Sequence, residues 1–255
     1  MPLKIVTVAC LADNYVFLLH SDSTGETALI DAPEAKPVLD ELSARGWHLT
    51  EIWLTHHHWD HIDAVSELKE ITGAKVIGAA ADAHRLPPLN EALSEGSVYE
   101  FAGHKVQVLD VSGHTVGHIA FYVADAGAAF TGDSLMAMGC GRLFEGSADQ
   151  MWSSLSKLAA LPPDTLICSG HEYTAANAKF ALSVDRGNAD LAARITDIDA
   201  ARAAGRATVP SALSLELATN PFLRAAQAEM KAGIGMPDAS DAAVFAEIRK
   251  RKDNF

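Results

Sequence analysis

The sequence is short of cysteine, of basic residues and of long apolar runs, and each shortage excludes a class of protein. Its three cysteines among 255 residues are odd in number and widely spaced, so we expect no disulfide framework. Lys and Arg number 20 against 33 Asp and Glu, and the net charge of -13 disfavours nucleic acid or an anionic membrane as partner. No apolar stretch is continuous enough to cross a bilayer. With no signal-peptide pattern near the N-terminus, these features predict a cytoplasmic location.

The residues that are present indicate a globular α/β chain with a helical end. Apolar residues make up 49% and charged residues 21% of the chain, which is ordinary for a protein with a packed core. Short β-rich runs alternate with occasional helices up to His171, and Ala-rich helical patterns replace strands afterwards. We therefore predict an α/β domain over residues 1–172 and a smaller α-helical domain over 173–255. The predicted strands are 4–9, 16–20, 27–31, 51–55, 75–78, 105–111, 118–124, 128–131 and 165–168. The predicted helices are 35–45, 62–72, 147–160, 175–184, 190–204, 222–231 and 239–250.

Histidine is the residue type whose placement is most informative. Of eleven histidines, four fall with one Asp in the six residues that follow the strand predicted at 51–55. Imidazole and carboxylate are ligands of borderline divalent cations such as Zn²⁺. Side chains alternate in extended backbone, so His56 and His58 share one face, while Asp60 and His61 form a second pair. Two pairs predict two metal ions.

Two metals that share a bridging group need about seven ligands, and further candidates follow other predicted strands. His114, Asp133 and His171 each come shortly after a strand, and a Gly precedes each of them. Glycine lets the backbone turn tightly at that point. The sequence thus offers seven ligands at four strand ends.

The other histidines and the cysteines receive plainer interpretations. We expect His20, His48, His84 and His104 at the surface or in loops. We expect His57 to face away from the metals and His118 to pack or hydrogen-bond near the site. Cys140 and Cys168 lack a recurring base partner, which disfavours a nucleophilic thiol.

The motif His56-x-His58-x-Asp60-His61, with His114, Asp133 and His171, resembles the metallo-β-lactamase superfamily, whose fold is an αββα sandwich. Further stretches resemble the glyoxalase II (hydroxyacylglutathione hydrolase) family over essentially the whole chain, including the helical end. These stretches are 13–15, 113–118, 131–133, 139–146, 170–174, 219–224 and 249–255.

The resemblance implies a metal-dependent thioester hydrolase that cleaves S-D-lactoylglutathione and related 2-hydroxyacylglutathiones, the second step of methylglyoxal detoxification. One metal would take His56, His58 and His114, the other Asp60, His61 and His171, and Asp133 would bridge them. We expect Zn, with Fe or Mn as alternatives. A metal-bridging hydroxide, oriented by Asp60 and Asp133, would attack the acyl carbon.

The resemblance also implies a glutathione site in the cleft between the two predicted domains, to which the helical domain contributes. The candidate substrate-binding residues are Arg142, Phe144, Tyr173, Arg249 and Lys252. Arg and Lys suit a tripeptide that carries two carboxylates. The expected partner is this one small thioester, and we expect a monomer.

Two departures from the family pattern concern affinity rather than the ligands. Ile62-Asp63-Ala64 stands where many members have a Gly-Gly pair, and Phe144 replaces Tyr, which removes a hydroxyl. Two alternatives stay open: an iron persulfide dioxygenase of the same superfamily, and a metal-binding module without catalysis. The full ligand set disfavours both, and the helical end disfavours a β-lactamase or lactonase.

Overall fold

The computed structural model describes residues 3–255, which divide into two compact units. The first unit comprises the described residues up to Asp110 together with Val116–Gly132. The second comprises Val111–Thr115 and Asp133–Phe255. The predicted domain boundary between residues 172 and 173 stays a prediction. Within residues 3–255, no helix combines the length and apolar character needed to span a membrane.

The strands of the first unit form two groups. They are β1 (Lys4–Cys10), β2 (Asn14–His20), β3 (Thr27–Ile30), β4 (Glu51–Trp53), β5 (Lys75–Ala79), β6 (Glu91–Leu93), β7 (Val98–Phe101), β8 (His104–Asp110), β9 (Ile119–Val123) and β10 (Ala128–Gly132). Strands β1 to β6 lie side by side in chain order, antiparallel from β1 to β3 and parallel from β3 to β6. Strands β7 to β10 form an antiparallel meander.

Aromatic side chains fill the space between these two groups of strands. The Trp53 ring on β4 lies 5.4 Å from the Phe101 ring on β7 and 5.1 Å from the Phe121 ring on β9. Phe17 on β2 contacts Phe130 on β10, with ring centroids 5.8 Å apart. Since all these rings are fully buried, the two sheets pack face to face around an aromatic core.

Helices cover the other face of the first sheet. They are α1 (Ala35–Arg45), α2 (Trp59–Ile62) and α3 (Val65–Thr72). Val38 and Leu42 of α1 and Leu68 of α3 share one apolar cluster with Leu29 of β3 and Ile52 of β4. Parallel strands require such crossover connections, and the crossover that follows β4 carries the histidine-rich segment.

The second unit is mainly helical. Its elements are β11 (Leu135–Met136), β12 (Gly139–Cys140), α4 (Ala148–Ala159), β13 (Leu166–Ser169), α5 (Thr174–Val184), α6 (Ala189–Ala203), β14 (Ser211–Ala212), α7 (Leu213–Thr219), α8 (Ala228–Gly233) and α9 (Asp241–Asp253). Phe222 lies at the centre of its core, because its ring contacts Phe180 of α5 at 6.1 Å and Phe245 of α9 at 5.8 Å.

Two predictions about this helical end are wrong in detail. We expected no strands after His171, yet β14 pairs antiparallel with β13 and leads directly into α7, which we did not predict. The helix predicted at 222–231 is broken, because Gln227 is extended and separates a 3-10 turn (Leu223–Ala226) from α8.

A buried ionic cluster explains why the local pattern around α7 was uninformative. Glu216 of α7 is fully buried and accepts hydrogen bonds from Arg194 of α6 and from the backbone N–H of Met138, the latter at 2.8 Å. A buried carboxylate is stable only when paired and hydrogen-bonded. These partners are distant in the chain, so the sequence around Glu216 does not indicate a buried helix.

Candidate metal centre

Residues 55–61, here called the metal loop, leave the end of β4 and carry four of the predicted ligands. His56 Nε2 lies 3.1 Å from His58 Nδ1, so these two imidazoles face each other through their ring nitrogens. Asp60 and His61 lie on the single-turn helix α2, where we expected a turn, with Asp60 Oδ2 4.0 Å from His61 Nε2. The loop therefore presents two donor pairs, each of the type that a divalent cation binds.

Asp31 is a functional residue that sequence reasoning missed. Its Oδ2 atom accepts a hydrogen bond from His61 Nδ1 at 2.8 Å and another from the Thr55 hydroxyl at 2.8 Å. The Thr55 hydroxyl in turn lies 3.0 Å from His56 Nδ1. Because the Thr55 hydroxyl donates its own hydrogen to Asp31, its oxygen accepts a hydrogen bond from His56 Nδ1. In the neutral form of both imidazoles the proton is therefore on Nδ1, and the lone pair that binds a metal is on Nε2.

A signal for Asp31 was present in the sequence. It ends the strand predicted at 27–31, and a carboxylate at a strand end is the feature that identified Asp133. Its backbone has φ of 61°, a left-handed conformation that non-glycine residues seldom adopt. Donor atoms of Asp31, His56 and His61 lie within 4.8 Å of one another, so Asp31 is close to both histidines that it supports.

Asn14 fixes the position of Asp60. Its side-chain Nδ2 atom donates to the Asp60 carbonyl at 3.0 Å and lies 3.4 Å from Asp60 Oδ2. Asn14 is buried at the start of β2, so the β1–β2 turn supports the metal loop. The sequence indicated this residue only as part of a family motif, with no role attached.

The second unit brings together the three remaining predicted ligands. Asp133 Oδ2 lies 3.5 Å from His114 Nε2 and 3.4 Å from His171 Nε2, and all three residues are buried. His114 Nδ1 donates to the Arg142 carbonyl at 2.8 Å, so its Nε2 atom is unprotonated. One carboxylate oxygen thus lies between two imidazoles, as a bridging ligand requires.

Two glycines permit the close packing around these ligands. A Cβ atom on Gly141 would lie 2.1 Å from the Asp133 carbonyl oxygen and 2.8 Å from His114 Nδ1. A Cβ on Gly132 would lie 2.4 Å from the Thr55 hydroxyl, and its φ of 48° is itself unfavourable for other residues. Any side chain at either position displaces a ligand or its support.

The two aromatic residues predicted to bind substrate flank ligands of the second unit. The exposed Phe144 ring lies 5.2 Å from the His114 ring. Tyr173 is partly exposed and stacks on His171 with ring centroids 4.7 Å apart and planes 4° from parallel. Both rings are placed to contact a molecule that reaches these ligands.

The three predicted cations of the substrate site differ in exposure. Arg249 is buried and donates to the Cys140 carbonyl at 3.0 Å and to Asp253 Oδ1 at 2.7 Å. Lys252 lies at the same end of α9. Burial, and then the positive charges of Arg249 and Arg142, hold the pKa of Lys252 below its usual range. Both guanidinium groups are therefore close enough to Lys252 to affect its charge.

The remaining histidines largely follow their predictions. His118 is fully buried and stacks on His56 at 4.6 Å, as expected of a residue that packs near the site. His57 Nδ1 lies 2.9 Å from Asp82 Oδ2, and its ring meets the His58 ring edge-on with centroids 5.1 Å apart. The expectation for His20 is wrong, because it is buried on β2, where it stacks on Trp47 at 3.9 Å.

The cysteine thiols are unsuited to nucleophilic catalysis. Burial, followed by the charge of Glu34, raises the pKa of Cys10 to about 12, and burial raises that of Cys140 to about 11. Burial also raises the pKa of Cys168. Because the thiolate is the reactive form, these thiols are inert at neutral pH.

Comparisons with known proteins identify the family of the chain. Residues 13–171 match the metallo-β-lactamase superfamily model, and residues 172–255 match the model named hydroxyacylglutathione hydrolase C-terminus. A hydroxyacylglutathione hydrolase of Ruegeria pomeroyi is 64% identical over 100% of both chains.

Solved structures show the same fold. ETHE1 from Myxococcus xanthus superposes with a TM-score of 0.70 at 24% identity, over 98% of this chain and 90% of that one. A di-iron-bound form of TTHA1623 gives a TM-score of 0.62 at 26% identity, over 88% of this chain and all of that one. The architecture is a metallo-β-lactamase domain followed by a helical C-terminal domain. On these matches, the chain belongs to the hydroxyacylglutathione hydrolase family of the metallo-β-lactamase superfamily.

Proposed function

We propose that the chain is a metal-dependent thioester hydrolase that converts S-D-lactoylglutathione, and related 2-hydroxyacylglutathiones, to glutathione and the free 2-hydroxy acid. The observation that carries this proposal is the full-length, 64% identical relative named hydroxyacylglutathione hydrolase, together with the family's own C-terminal model over residues 172–255. Fold likeness alone would not distinguish this reaction from others that the superfamily performs.

The donor chemistry of the residues fits two divalent cations. In the proposed set, His56, His58 and His114 hold one ion, Asp60, His61 and His171 hold the other, and Asp133 bridges them. Support comes from the unprotonated Nε2 atoms of His56, His61 and His114, and from the position of Asp133 between two imidazoles. Neither unit supplies a full set alone, and the superfamily model spans all seven residues.

Two bound ions would lower the pKa of water and polarise the thioester carbonyl. Zn is the ion we propose, with Fe or Mn as alternatives, because N and O donors accept all three. The di-iron-bound form of TTHA1623 supports a site for two ions.

The chain's own residues position these groups for reaction. Asn14 holds the carboxylate of Asp60, which we propose orients the attacking water together with Asp133. Hydrogen bonds from Asp31 and Thr55 fix the ring orientation and the tautomer of His56 and His61. Both rings therefore keep Nε2 directed to the metal site. A thiolate leaves readily, and the site therefore needs no strong general acid.

Residues of the second unit would hold the glutathione moiety. We propose that Phe144 and Tyr173 contact its peptide, and that Arg142, Arg249 and Lys252 attract its carboxylates. The pKa of Lys252, lowered by burial and then by the charges of Arg249 and Arg142, supports a shared anion site, because a bound anion offsets the repulsion among these cations. Arg249 would contribute mainly its charge, since its donors already contact Cys140 and Asp253.

The reaction is tested by following thiol release from S-D-lactoylglutathione. We expect turnover that a chelator abolishes and that Zn²⁺ restores, and close to two metals per chain. A metal-loaded protein that releases no thiol contradicts the proposal. Oxygen uptake with glutathione persulfide and one iron per chain would favour the dioxygenase, and metal binding without either reaction would favour a non-catalytic module.

A cytoplasmic location and a monomeric state complete the proposal. The three cysteines are buried and form no disulfide with one another, which is compatible with a reducing compartment. Light scattering coupled to size exclusion tests the monomer, for which the expected mass is 27.0 kDa.

A further inference from the structure

A fully buried carboxylate lies beside the metal loop without belonging to the ligand set. Asp82 ends the 3-10 turn Ala80–Asp82 that follows β5, and none of its surface is accessible to solvent. A buried charge is costly unless each oxygen has a donor, so the partners of Asp82 indicate what it holds in place.

Each oxygen of Asp82 accepts a hydrogen bond from a different cationic or polar group. Oδ2 accepts from His57 Nδ1 at 2.9 Å, and Oδ1 accepts from Nε of Arg85. Arg85 also donates through Nη2 to the Val116 carbonyl at 2.7 Å. The carboxylate therefore connects two segments that the chain itself does not join.

Both of these segments adjoin predicted ligands. His57 stands between His56 and His58, and alternate side chains of extended backbone point to opposite faces. His57 Nδ1 pairs with Asp82, whereas His56 Nε2 faces His58 Nδ1. Val116 follows His114 by two residues.

The segment after Val116 also packs directly on Asp82. A Cβ on Gly117, whose φ is 94°, would lie 3.1 Å from Asp82 Cβ. The glycine thus allows the backbone to approach the carboxylate closely.

We infer that Asp82 is a positioning residue for the metal site, which acts by fixing the backbone of the metal loop through His57 and the segment after His114 through Arg85. With His57 anchored to Asp82 on one face of the loop, His56 and His58 stay directed to the opposite face. When ligand side chains are displaced by about 1 Å, a site loses much of its affinity and reactivity. The inference rests on the proposed metal site but not on the identity of the substrate.

The test compares Asp82→Asn, His57→Gln and the double variant with the parent. Each metal-free protein is titrated with Co²⁺, and its absorption spectrum reports both affinity and ligand geometry. We expect each single variant to bind Co²⁺ about tenfold more weakly or worse, with an altered spectrum. The double variant should lose no more Co²⁺ affinity than the single variant that binds Co²⁺ more weakly, because both changes break the same His57–Asp82 hydrogen bond.

Asp125→Asn is the matched control. Asp125 also accepts from a histidine, His104, at 2.7 Å, but this pair is on the surface and distant in sequence from the metal loop. We expect its Co²⁺ affinity and spectrum to match the parent.

Two results would overturn the inference: Co²⁺ binding by Asp82→Asn equal to the parent, or losses that add in the double variant. If Asp82→Asn does not fold, His57→Gln decides, since it leaves the Asp82–Arg85 pair intact. A parent protein that binds Co²⁺ but hydrolyses no thioester contradicts the proposed function and leaves this inference standing.

Discussion

At the scale of single residues, hydrogen bonds orient the side chains of the predicted ligands. Asp31 contacts His61 directly and reaches His56 through Thr55, so one carboxylate sets the tautomer of two imidazoles. Such outer contacts commonly change metal affinity by about 10–100-fold when removed.

Replacing Asp31 should weaken metal binding without removing a ligand. We expect Asp31→Ala to lower affinity for Zn²⁺ by about tenfold or more, measured by competition with a chelating dye. Asp22→Ala removes an exposed carboxylate that pairs with Lys4, and it should bind Zn²⁺ like the parent. Equal affinity in the two variants would show that Asp31 does not orient the ligands.

The pKa of Lys252 gives a pH prediction for substrate binding. Because burial and neighbouring cations lower this pKa, the ammonium loses its proton at a lower pH than an ordinary lysine. Attraction for an anionic substrate is present below that pKa and is lost as the pH rises through it.

We therefore expect KM for the thioester to increase at alkaline pH. Lys252→Arg should remove the increase, since a guanidinium stays charged there. A KM that changes equally with pH in both proteins would assign the effect to another group.

At the scale of elements, α9 carries a residue that both stabilises the fold and belongs to the proposed substrate site. Arg249 on this helix holds the Cys140 carbonyl of β12 and lies over the Phe222 ring at 5.1 Å. Its removal leaves a buried carbonyl without that donor, which costs about 1–3 kcal/mol.

Arg249→Ala should consequently lower the free energy of unfolding and also raise KM more than it lowers kcat. The second effect is expected because a charge that attracts a remote part of the substrate acts equally in ground and transition states. Steady-state kinetics at a temperature well below unfolding, with urea titration in parallel, separates the two effects. A large fall in kcat at constant KM would place Arg249 nearer the reacting atoms than proposed.

Helix α4 provides a purely structural comparison. Ser147 and Gln150 form a reciprocal capping box at its N-terminus, with bonds of 3.2 Å and 2.9 Å. Ser147→Ala should cost about 1 kcal/mol of stability in urea unfolding and leave kinetics unchanged. Ser156→Ala, in the exposed interior of the same helix, should cost less, because alanine is the better helix former there.

The sequence predicts the residues of the candidate site better than it predicts the helices of the C-terminal end. The seven predicted ligands followed from one rule, polar side chains after strands, because strand ends are marked locally by glycine and by the end of an apolar run. Their role as ligands stays a prediction. For Asp31, Asn14 and Asp82 no such rule identified a role, although Asp31 also ends a predicted strand. Their roles depend on contacts across 30, 46 and 25 residues, which no short window contains.

The helical end was less predictable for a related reason. The Ala-rich segments have helical periodicity, so α5, α6 and α9 were found, but α7 contains a buried Glu216 that periodicity marks as exposed. Arg224 illustrates the break between residues 222 and 231, because its side chain is held by Asp185 and the Ala218 carbonyl. Long-range contacts override local propensity at both places.

At the scale of the whole molecule, an acidic chain with a net charge of -13 is proposed to bind an anionic thioester. The charge that matters is local, since fields beyond about 8 Å are screened at physiological salt. Metals in the site and cations near α9 would attract the substrate whatever the sign of the remaining surface.

The burial of all three cysteines has a consequence for the protein's redox chemistry. A hydrolase of this kind releases glutathione, a thiol that oxidises to glutathione disulfide. Accessible, low-pKa cysteines exchange with this disulfide, which forms a mixed disulfide and releases one glutathione. Here each thiol is enclosed and has a raised pKa. The folded protein should thus remain unmodified by its own oxidised product during oxidative stress, when aldehyde detoxification continues to be needed.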